Sequence, residues 1–283
     1  MRIAVIIPTY NRADLTVEAV ESVLRQVSPA DEIWIVDDGS EDDTTAKIIT
    51  MGGNVRLFRQ ERRGVSAARN AGIRASQSEW LAFLDSDDLW KPKKLLRQRE
   101  ELAKHPDLRV CFTDEEWRQH GKWKNQRLIH AKSGGWIFEK CLPRCVISPS
   151  SVLVHRSVFA EVGLFDESLP ACEDYDLWLR VCCRMPVLYI PEKLIVKRAG
   201  AWEQLSKQHS LDKYRIRSLC SLLEKEPLSA KQRCAAETAL MEKIRIYAIG
   251  CRKHGRHEEL QWLREIVADR LPEAMPFLVT GKE

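Results

Sequence analysis

Short apolar runs alternate with amphipathic segments through the first 113 residues of the chain. Such runs are typical of buried strands, and apolar residues at helical spacing between them are typical of helices that cover a sheet. The pattern predicts strands at residues 3–7, 32–36, 55–58, 80–84 and 108–113. Between them it predicts helices at 14–27, 43–51, 64–76 and 92–104. This order predicts an α/β fold with a mainly parallel sheet and flanking helices, which binds ligands outside the carboxyl ends of its strands.

The pattern changes after residue 113. Residues 114–150 lack a clear period and are predicted to form long loops over the sheet edge, before a strand at 150–155 and a helix at 173–183. Short strands are predicted at 187–190 and 193–196, on either side of Pro191. Helices are predicted at 210–223, 229–254 and 258–271, the second with Ser229 as its N-cap. We therefore expect a domain of residues 1–201, with halves 1–113 and 114–201, and a helical appendage of residues 202–283.

Three carboxylates follow the fourth predicted strand within four residues: Asp85, Asp87 and Asp88. Like charges this close repel, so each carboxylate is costly to hold without compensation. A divalent cation is the usual compensator, and hard oxygen ligands favour Mg²⁺ or Mn²⁺. The sequence therefore predicts a metal and phosphate site at this edge of the sheet.

Composition indicates a soluble globular protein. Of 283 residues, 44 % are hydrophobic and 30 % charged, and the net charge of +4 is too small to imply nucleic-acid binding. The nine cysteines are irregularly spaced and contain no CxxC pair, which favours a reducing cytosol over a zinc or redox site. No signal peptide is recognisable, and no apolar stretch approaches the roughly 18 residues of a membrane span. We expect a cytoplasmic protein with at most peripheral contact with the inner face of the membrane.

A cluster of cationic residues follows the acidic motif. Two interpretations remain open: a solvated helix face, or a patch that meets anionic lipid or a phosphorylated acceptor. The cluster consists of Lys91, Lys93, Lys94, Arg97, Arg99 and Lys104.

Four polar segments are placed to share one edge of the sheet. The segments 8–12, 36–40 and 85–88 follow predicted strands, and 172–178 opens a later helix. Each alone is weak evidence, because an Asp-Asp-Gly-Ser sequence is more often a simple turn and helix cap. Parallel strands end at a common edge, so their carboxylates and Tyr10 are expected to line one cleft.

Together and in this order, the segments resemble the motifs of family 2 glycosyltransferases of the GT-A fold, which has a Rossmann-like nucleotide-binding sheet. The resemblance covers about residues 1–200. It rests on Pro8-Thr9-Tyr10-Asn11-Arg12, Val36-Asp37-Asp38-Gly39-Ser40, the run from Gly64 to Gly72, Asp85-Ser86-Asp87-Asp88, and Glu173-Asp174. It implies that residues 1–113 bind a nucleotide sugar and that residues 114–201 bind the acceptor.

The resemblance also implies roles for individual residues of the donor half. Pro8 and Tyr10 would hold the nucleotide base, with Tyr10 stacking on it, and Asp38 would accept a hydrogen bond from a base N–H. Asp85 and Asp87 form the family's D-x-D motif around Ser86, which would also belong to the nucleotide-sugar site.

Within that motif, Asp87 would bind Mn²⁺ or Mg²⁺, while Asp85 would contact ribose or metal-bound water. Arg69 would brace the acidic cluster or the diphosphate, although an ordinary surface arginine is the alternative. Asp174 would be the general base, although Glu173 and Asp174 also suit the first turn of any helix.

The implied reaction is inverting transfer of a sugar from a nucleotide-diphosphate sugar, with UDP preferred, to an acceptor hydroxyl. The acceptor would be a glycan or a lipid-linked saccharide of the bacterial envelope. The chain lacks the Gln-x-x-Arg-Trp motif of processive synthases, so transfer of one or a few residues is expected. The alternatives are a non-catalytic nucleotide-sugar-binding or scaffold domain of the same fold, and a sugar-nucleotide pyrophosphorylase. The latter is disfavoured because no Gly-rich N-terminal loop is present.

Several aromatic residues and one histidine remain to be placed. Trp90 and Trp178 are expected to pack beneath the motifs, and His209 is a candidate late contact to metal or phosphate. An acceptor-side aromatic platform is one interpretation of the tryptophans in less regular segments: Trp117, Trp123, Trp136 and Trp202.

Overall fold

The computed structural model describes residues 1–202, 204 and 210–268 of the chain. His209 and the end of the last predicted helix lie outside the described residues. The strands are β1 (Ile3–Thr9), β2 (Glu32–Asp37), β3 (Val55–Arg59), β4 (Trp80–Phe83), β5 (Leu89–Trp90), β6 (Val110–Gln119), β7 (Lys122–Lys124), β8 (Val152–His155) and β9 (Leu188–Ala199).

The helices are α1 (Ala13–Leu24), α2 (Thr44–Ile49), α3 (Val65–Ala75), α4 (Lys94–Lys104), α5 (Phe138–Cys141), α6 (Arg156–Val162), α7 (Glu173–Cys182), α8 (Asp212–Lys225), α9 (Ala230–Lys253) and α10 (His257–Ala268). Short 3₁₀ turns lie at Leu128–His130 and Pro149–Ser151.

The described strands form one nine-stranded mixed sheet in the order β3-β2-β1-β4-β8-β6-β9-β5, with β7 paired to β6. Strands β1, β2, β3, β4, β6 and β9 run in one direction, and β5, β7 and β8 run against them. The predicted α/β fold with a mainly parallel sheet and flanking helices is therefore confirmed. Strand β1 is buried on both faces, which explains its unbroken apolar sequence.

Each face of the sheet packs against its own set of helices. Ile3, Val5 and Ile7 point to the side covered by α1 and α4. Ala4 and Ile6 point to the other side, where one hydrophobic cluster continues through α3, α6 and α7 into α8, α9 and α10. The appendage helices therefore share this core, and the division of the chain at residue 201 stays a prediction.

Residues 114–119 were predicted as loop, and that prediction is wrong: β6 continues to Gln119 and turns into β7. The segment lacks an apolar period because acidic residues interrupt it. The strand forms nevertheless, because distant lysines neutralise these acids. Glu115 accepts from Lys132 at 2.7 Å, and Glu116 from Lys91 at 2.8 Å. A half-buried strand usually alternates apolar and polar residues. In this segment, ion pairs with distant residues stabilise the strand instead.

The two strands predicted around Pro191 are one strand, β9. Its register with β6 jumps from Thr113↔Ile190 to Asp114↔Lys193, so Pro191 lies in a bulge, where its missing N–H costs no ladder bond. Helix α6 was not predicted, although Val158, Phe159 and Val162 have helical spacing and His155 caps it. The predicted N-cap of α9 is confirmed, because Ser229 and Gln232 form a reciprocal capping box.

In the described part of the chain, no helix has both the length and the apolar character of a bilayer span.

Candidate functional site

The carboxyl ends of β1, β2 and β4 open into a cleft of about 1140 Å³, which α3, α7, α8 and β9 complete. All eight residues predicted for the site line this cleft: Pro8, Tyr10, Asp38, Arg69, Asp85, Ser86, Asp87 and Asp174. Their convergence follows from the parallel strands, which end at a common edge.

The loops after β1 and β2 are fastened to each other. Asn11 has a left-handed φ of 50°, a conformation that asparagine tolerates better than most residues. Its backbone N–H donates to Ser40 Oγ at 2.8 Å, and its Oδ1 accepts from Glu41 N at 2.8 Å. This pairing fixes Tyr10 beside Asp38, at the end of the cleft where a base is predicted to bind.

Asp38 organises the loop that leads into α3. Its Oδ1 accepts from Gln60 Nε2 at 2.7 Å and from Arg63 N at 2.9 Å, and its Oδ2 accepts from Gly64 N at 2.7 Å. Gly64 has a φ of 92°, which an L-residue rarely adopts. Beside this loop, the Arg62 guanidinium lies over the Tyr10 ring, 4.1 Å from its centroid.

Arg69 of α3 links two motifs that are far apart in sequence. Its guanidinium donates to Asp85 Oδ1 at 2.6 Å and to Glu173 Oε1 at 2.6 Å. Burial raises the pKa of the Glu173 carboxyl, and the Arg69 charge opposes that rise. The prediction that Arg69 braces the acidic cluster agrees with this geometry, while its contact with diphosphate stays a prediction.

Asp88 supports the acidic loop from below. Its Oδ2 accepts from Ser150 Oγ at 2.6 Å, and its Oδ1 accepts from Arg198 N at 3.1 Å. Burial raises the pKa of this carboxyl well above its usual range, and the charge of Asp87 adds to the rise. Trp90 packs beneath the loop and donates to Ser150 O at 2.8 Å. Asp88 is held within the loop by these bonds, and Trp90 and Trp178 are buried, as expected.

Asp87 points into the cleft toward a group of donors. Its Oδ2 accepts from Trp202 Nε1 at 2.9 Å and from Gln204 Nε2 at 3.1 Å, with Arg12 NH1 at 3.5 Å. Of the four tryptophans considered for an acceptor platform, only Trp202 is among the described residues that line this cleft. It donates to Asp87, and an acceptor-side platform of these tryptophans stays a prediction.

Lys197 of β9 lies among four carboxylates from three different segments. Burial lowers the pKa of its ammonium, but the charges of Glu115, Asp88, Asp85 and Asp174 outweigh burial and raise it. Lys197 lines the cleft, and in the described residues it forms no close ion pair. It is thus a cation held by several acids at longer range, beside the predicted metal and base residues.

Asp174 lies in the first turn of α7, half-buried at the cleft wall. Its Oδ1 accepts from Tyr175 N at 2.7 Å, and the Cys145 thiol lies beside the carboxylate in the same cleft. Cys172 precedes the helix with a φ of 62°, a strained conformation for a non-glycine residue. Leu211 and Arg215, at the start of the helical appendage, line the cleft next to this turn. The appendage therefore contributes to the side of the cleft that holds Asp174.

Sequence reasoning missed several polar side chains that the structure brings to the site. Arg198, Gln204 and Arg215 belong to segments without a recognisable motif, so no local signal identifies them. Lys197 carried a weak signal, as a charged residue directly after the apolar end of the predicted strand at 193–196. Arg12 ends the segment 8–12, but the resemblance predicts no role for it.

The residues present fit a divalent cation in part. In the described residues, no group of three or more His, Cys, Asp or Glu side chains converges as a complete ligand set. Asp87 Oδ1 and Asp85 Oδ2 nevertheless receive no hydrogen bond from the described residues. Mg²⁺ typically binds one or two carboxylates and completes its shell with substrate phosphates and water. Two hard oxygens beside a cleft suit that arrangement.

A Rossmann-like sheet with a carboxylate-lined cleft at its carboxyl edge is typical of glycosyltransferases of the GT-A class. The family model "Glycosyl transferase family 2" matches residues 4–163, and the chain belongs to that family.

Relatives in bacteria carry the same description. An uncharacterized glycosyltransferase of Rickettsia conorii is 33 % identical over 215 residues, which cover 74 % of this chain and 35 % of the relative. The uncharacterized glycosyltransferase YwdF of Bacillus subtilis is 24 % identical over 253 residues, covering 82 % and 93 %. The chain thus spans about a third of the length of three rickettsial relatives and 63 % of two others.

Solved structures share the fold. S. aureus TarS 1–349 in complex with UDP superposes with a TM-score of 0.73 at 18 % identity, covering 99 % of this chain and 83 % of that one. Its complex with UDP-GlcNAc gives 0.73 at 17 % identity, covering 98 % and 82 %. The superposition includes the helices that follow the sheet, which confirms the GT-A fold with a C-terminal helical segment.

Proposed function

We propose that this chain transfers a sugar from a UDP-sugar to an acceptor hydroxyl by a single inverting displacement. The observation that carries the proposal is the single cleft that unites Tyr10 and Asp38, Asp85 and Asp87, and Asp174. The cleft thus offers, one after another, a pocket for the nucleotide base, a position for the diphosphate and metal, and a carboxylate that can act as the general base. UDP and UDP-GlcNAc in the TarS structures support a uridine donor.

The donor end has the chemistry to hold a pyrimidine. Asp38 Oδ2 accepts one hydrogen bond, so it retains a lone pair for a base N–H. Stacking of the base on Tyr10 requires Arg62 to move from the ring or to cover the base from its other side. In the second arrangement the guanidinium would also approach the diphosphate.

Asp87 Oδ1 and Asp85 Oδ2 would hold Mn²⁺ or Mg²⁺. When bound, the ion withdraws charge from the leaving diphosphate as a Lewis acid. Lys197, Arg12 and Arg198 supply further positive charge from the chain itself. Arg198 is positioned for this by a 2.6 Å bond from its Nε to Asp87 O. A preorganised cluster of cations stabilises the charge that develops on the leaving group.

Asp174 would remove the proton of the acceptor hydroxyl. Its position in the first turn of α7 stabilises the carboxylate that must be present before the reaction. The second acidic residue of the motif, Glu173, is bound to Arg69 and is therefore unsuited to proton transfer. Attack from the Asp174 side, opposite the diphosphate, inverts the anomeric centre without a covalent intermediate.

The acceptor is proposed to be a glycan or a lipid-linked saccharide of the bacterial envelope. A succinoglycan biosynthesis protein of Rhizobium meliloti, ExoO, is 43 % identical over 97 residues, covering 34 % of this chain and 28 % of that protein. A cytoplasmic location is part of the proposal, because six of the nine cysteines are buried free thiols.

The proposal is tested by hydrolysis and transfer of UDP-sugars in the presence of Mn²⁺. Asp87→Asn should abolish both reactions and weaken metal-dependent UDP binding, because it removes a carboxylate from the metal position. Asp174→Asn should abolish transfer and leave UDP affinity nearly unchanged, since it changes only the proton acceptor.

The matched control is Asp107→Asn, an exposed aspartate outside the cleft, which should behave as the unmodified chain. A chain that binds UDP-sugar but is inert across a broad acceptor panel would support the scaffold alternative. A large loss of UDP binding in Asp174→Asn would show that Asp174 belongs to the donor site.

A further inference from the structure

A basic hairpin and turn stand at the rim of the cleft. We propose that the segment 120–130, which we call the rim segment, docks the protein on an anionic lipid surface. Strand β6 runs beside β9 with Trp117 opposite Lys197 and Gln119 opposite Ala199. The hairpin of β6 and β7 therefore begins where β9 leaves the cleft, beside Lys197 and Arg198. A membrane bound here would lie next to the entrance of the site.

The rim segment presents two adjacent apolar side chains to solvent. Leu128 is 93 % exposed and Ile129 is 57 % exposed, on the 3₁₀ turn after β7. Single exposed apolar residues are common on protein surfaces, so their exposure alone decides nothing. This turn, however, is fixed in place: the His130 ring lies 4.9 Å from that of Trp117, and Arg144 NH1 donates to Ile129 O at 2.7 Å.

The surroundings of that apolar pair are cationic. The sequence contains no acid between Glu116 and Glu139 but five lysines and arginines. Arg118 and Lys132 are neutralised by Glu116 and Glu115. The other three, Lys122, Lys124 and Arg127, are exposed, and none has an acidic partner among the described residues.

The register of the hairpin places two of these cations on the same face as the turn. Lys124 is opposite Trp117, whose ring contacts His130 of the turn, and Lys122 shares that face because strand side chains alternate. Trp123, 54 % exposed, is opposite Arg118 and points to the other face. Cations beside a protruding apolar pair match an anionic membrane, which attracts the charges and accepts the apolar side chains.

The cationic cluster at 91–104, considered earlier for the same role, is largely neutralised within the protein. Arg97 pairs with Glu100, Glu101 and Glu192, and Lys104 pairs with Glu101. Lys91 pairs with Glu116, Arg99 pairs with Asp31, and Lys94 is buried. The rim segment is therefore the better lipid-binding surface.

The test is co-sedimentation of the full chain with vesicles of phosphatidylcholine, with or without phosphatidylglycerol. We expect binding only to the anionic vesicles, and less of it as salt is raised, because exposed charges are screened. Each of Lys122→Glu and Lys124→Glu should lower the partition coefficient about fivefold or more. Leu128→Ser with Ile129→Ser should lower it about tenfold or more.

Two matched controls separate this surface from general effects. Trp123→Ser removes an exposed aromatic from the opposite face, and Lys93→Glu reverses an exposed charge in the 91–104 cluster. Both should bind vesicles as the unmodified chain does. All substitutions are at exposed positions, and an unchanged Tm confirms folding.

Absence of binding to anionic vesicles, equal binding to neutral ones, or equal losses in the controls would overturn the proposal. A concentration-dependent dimer that Leu128→Ser disperses would assign the surface to a second copy instead, which also overturns it. The vesicle assay uses no donor, so its outcome is independent of the proposed transferase reaction.

Discussion

The burial and the partners of a charged residue decide what it contributes to stability and binding, and Lys94 is the clearest example. It belongs to the 91–104 cationic cluster in sequence but is 0 % exposed in the structure. Its Nζ donates to Gln98 Oε1 at 2.9 Å and lies 3.8 Å from the centroid of the Trp90 ring. Burial lowers the pKa of Lys94 to about 7. Sequence alone could not distinguish it from its exposed neighbour Lys93.

The lowered pKa of Lys94 predicts a pH-dependent stability. Between about pH 7 and 10.5 the unfolded chain binds a proton at this lysine that the folded chain does not, so stability falls as pH falls through that window. Lys94→Met should remove a slope of at most about 1.4 kcal/mol per pH unit. Urea unfolding at several pH values measures it.

Lys93→Met, the exposed control, should leave that slope unchanged. Burial raises the pKa of the neighbouring Cys111 thiol from 9.0 to about 12, so above about pH 9 this thiol adds a slope of opposite sign, and the slopes are compared between pH 7 and 9. An identical slope in Lys94→Met and in the unmodified chain would contradict the buried, neutral lysine.

Arg69 is the residue on which two motifs depend. It is 3 % exposed and binds Asp85 and Glu173. Arg69→Met would leave both carboxylates without their cation, which typically costs about 3–5 kcal/mol for a buried pair. We expect that loss in the free energy of unfolding, together with weaker UDP binding. Arg69→Lys should restore little, because an ammonium lacks the planar fork that bridges two acids.

Arg74→Met, on the same helix, is the control for Arg69. Arg74 is 53 % exposed and 3.7 Å from Glu167. Exposed ion pairs contribute little, so the free energy of unfolding should change by less than about 1 kcal/mol. Equal losses of unfolding free energy in Arg69→Met and Arg74→Met would show that the ion pairs of Arg69 have no special role.

At the scale of elements, the packing of α3 on β1 sets the position of Arg69. A Cβ added at Gly72 would lie 2.5 Å from Ile6 Cγ2, which is a clash. Helix α3 therefore lies so close to β1 that only glycine fits at position 72. Gly72→Ala should therefore destabilise the protein by about 1–3 kcal/mol, as overpacked cores do. Thermal or urea unfolding measures the change.

The control and the rescue for Gly72 both lie within the chain. Gly250→Ala in α9 meets no atom within 4 Å and should stabilise the protein by up to about 1 kcal/mol, because alanine favours helix. Ile6→Ala with Gly72→Ala removes both γ carbons that the added Cβ would meet, so the double variant should lose less stability than the sum of the two single variants. A stabilising Gly72→Ala would contradict the close approach of α3.

At the scale of the whole molecule, the cleft joins segments from both ends of the chain. Donor binding should therefore stabilise the entire fold. UDP with Mn²⁺ at 100 times its Kd should add about 2.7 kcal/mol and raise Tm by several degrees. ADP should give a smaller rise, because the Tyr10 and Asp38 pocket is proposed to hold a pyrimidine.

A thermal-shift assay with and without Mn²⁺ measures these changes in Tm. In the same assay, the variant Tyr10→Ala should lose the preference for UDP over ADP. Equal shifts for UDP and ADP in the unmodified chain would contradict the base pocket.

The order of strands and helices, the GT-A class and the convergence of the motif loops followed from sequence. Apolar periodicity reports which faces are buried, and a parallel sheet brings its strand ends to one edge. The long strands β6 and β9 did not follow, because charged residues interrupt their apolar pattern. Those charges are satisfied by partners that only the folded chain brings near, such as Lys91 for Glu116.

The sequence by itself therefore determined the scaffold and the donor motifs, since both are encoded in neighbouring residues. Only the tertiary structure decided which charges meet: Arg69 reaches Glu173, 104 positions away, and Lys197 lies among acids of three segments. It also showed that Lys94 is buried while Lys122 and Lys124 are exposed beside the cleft. An ion pair depends on distance in space, and a one-dimensional pattern does not record distance between remote residues.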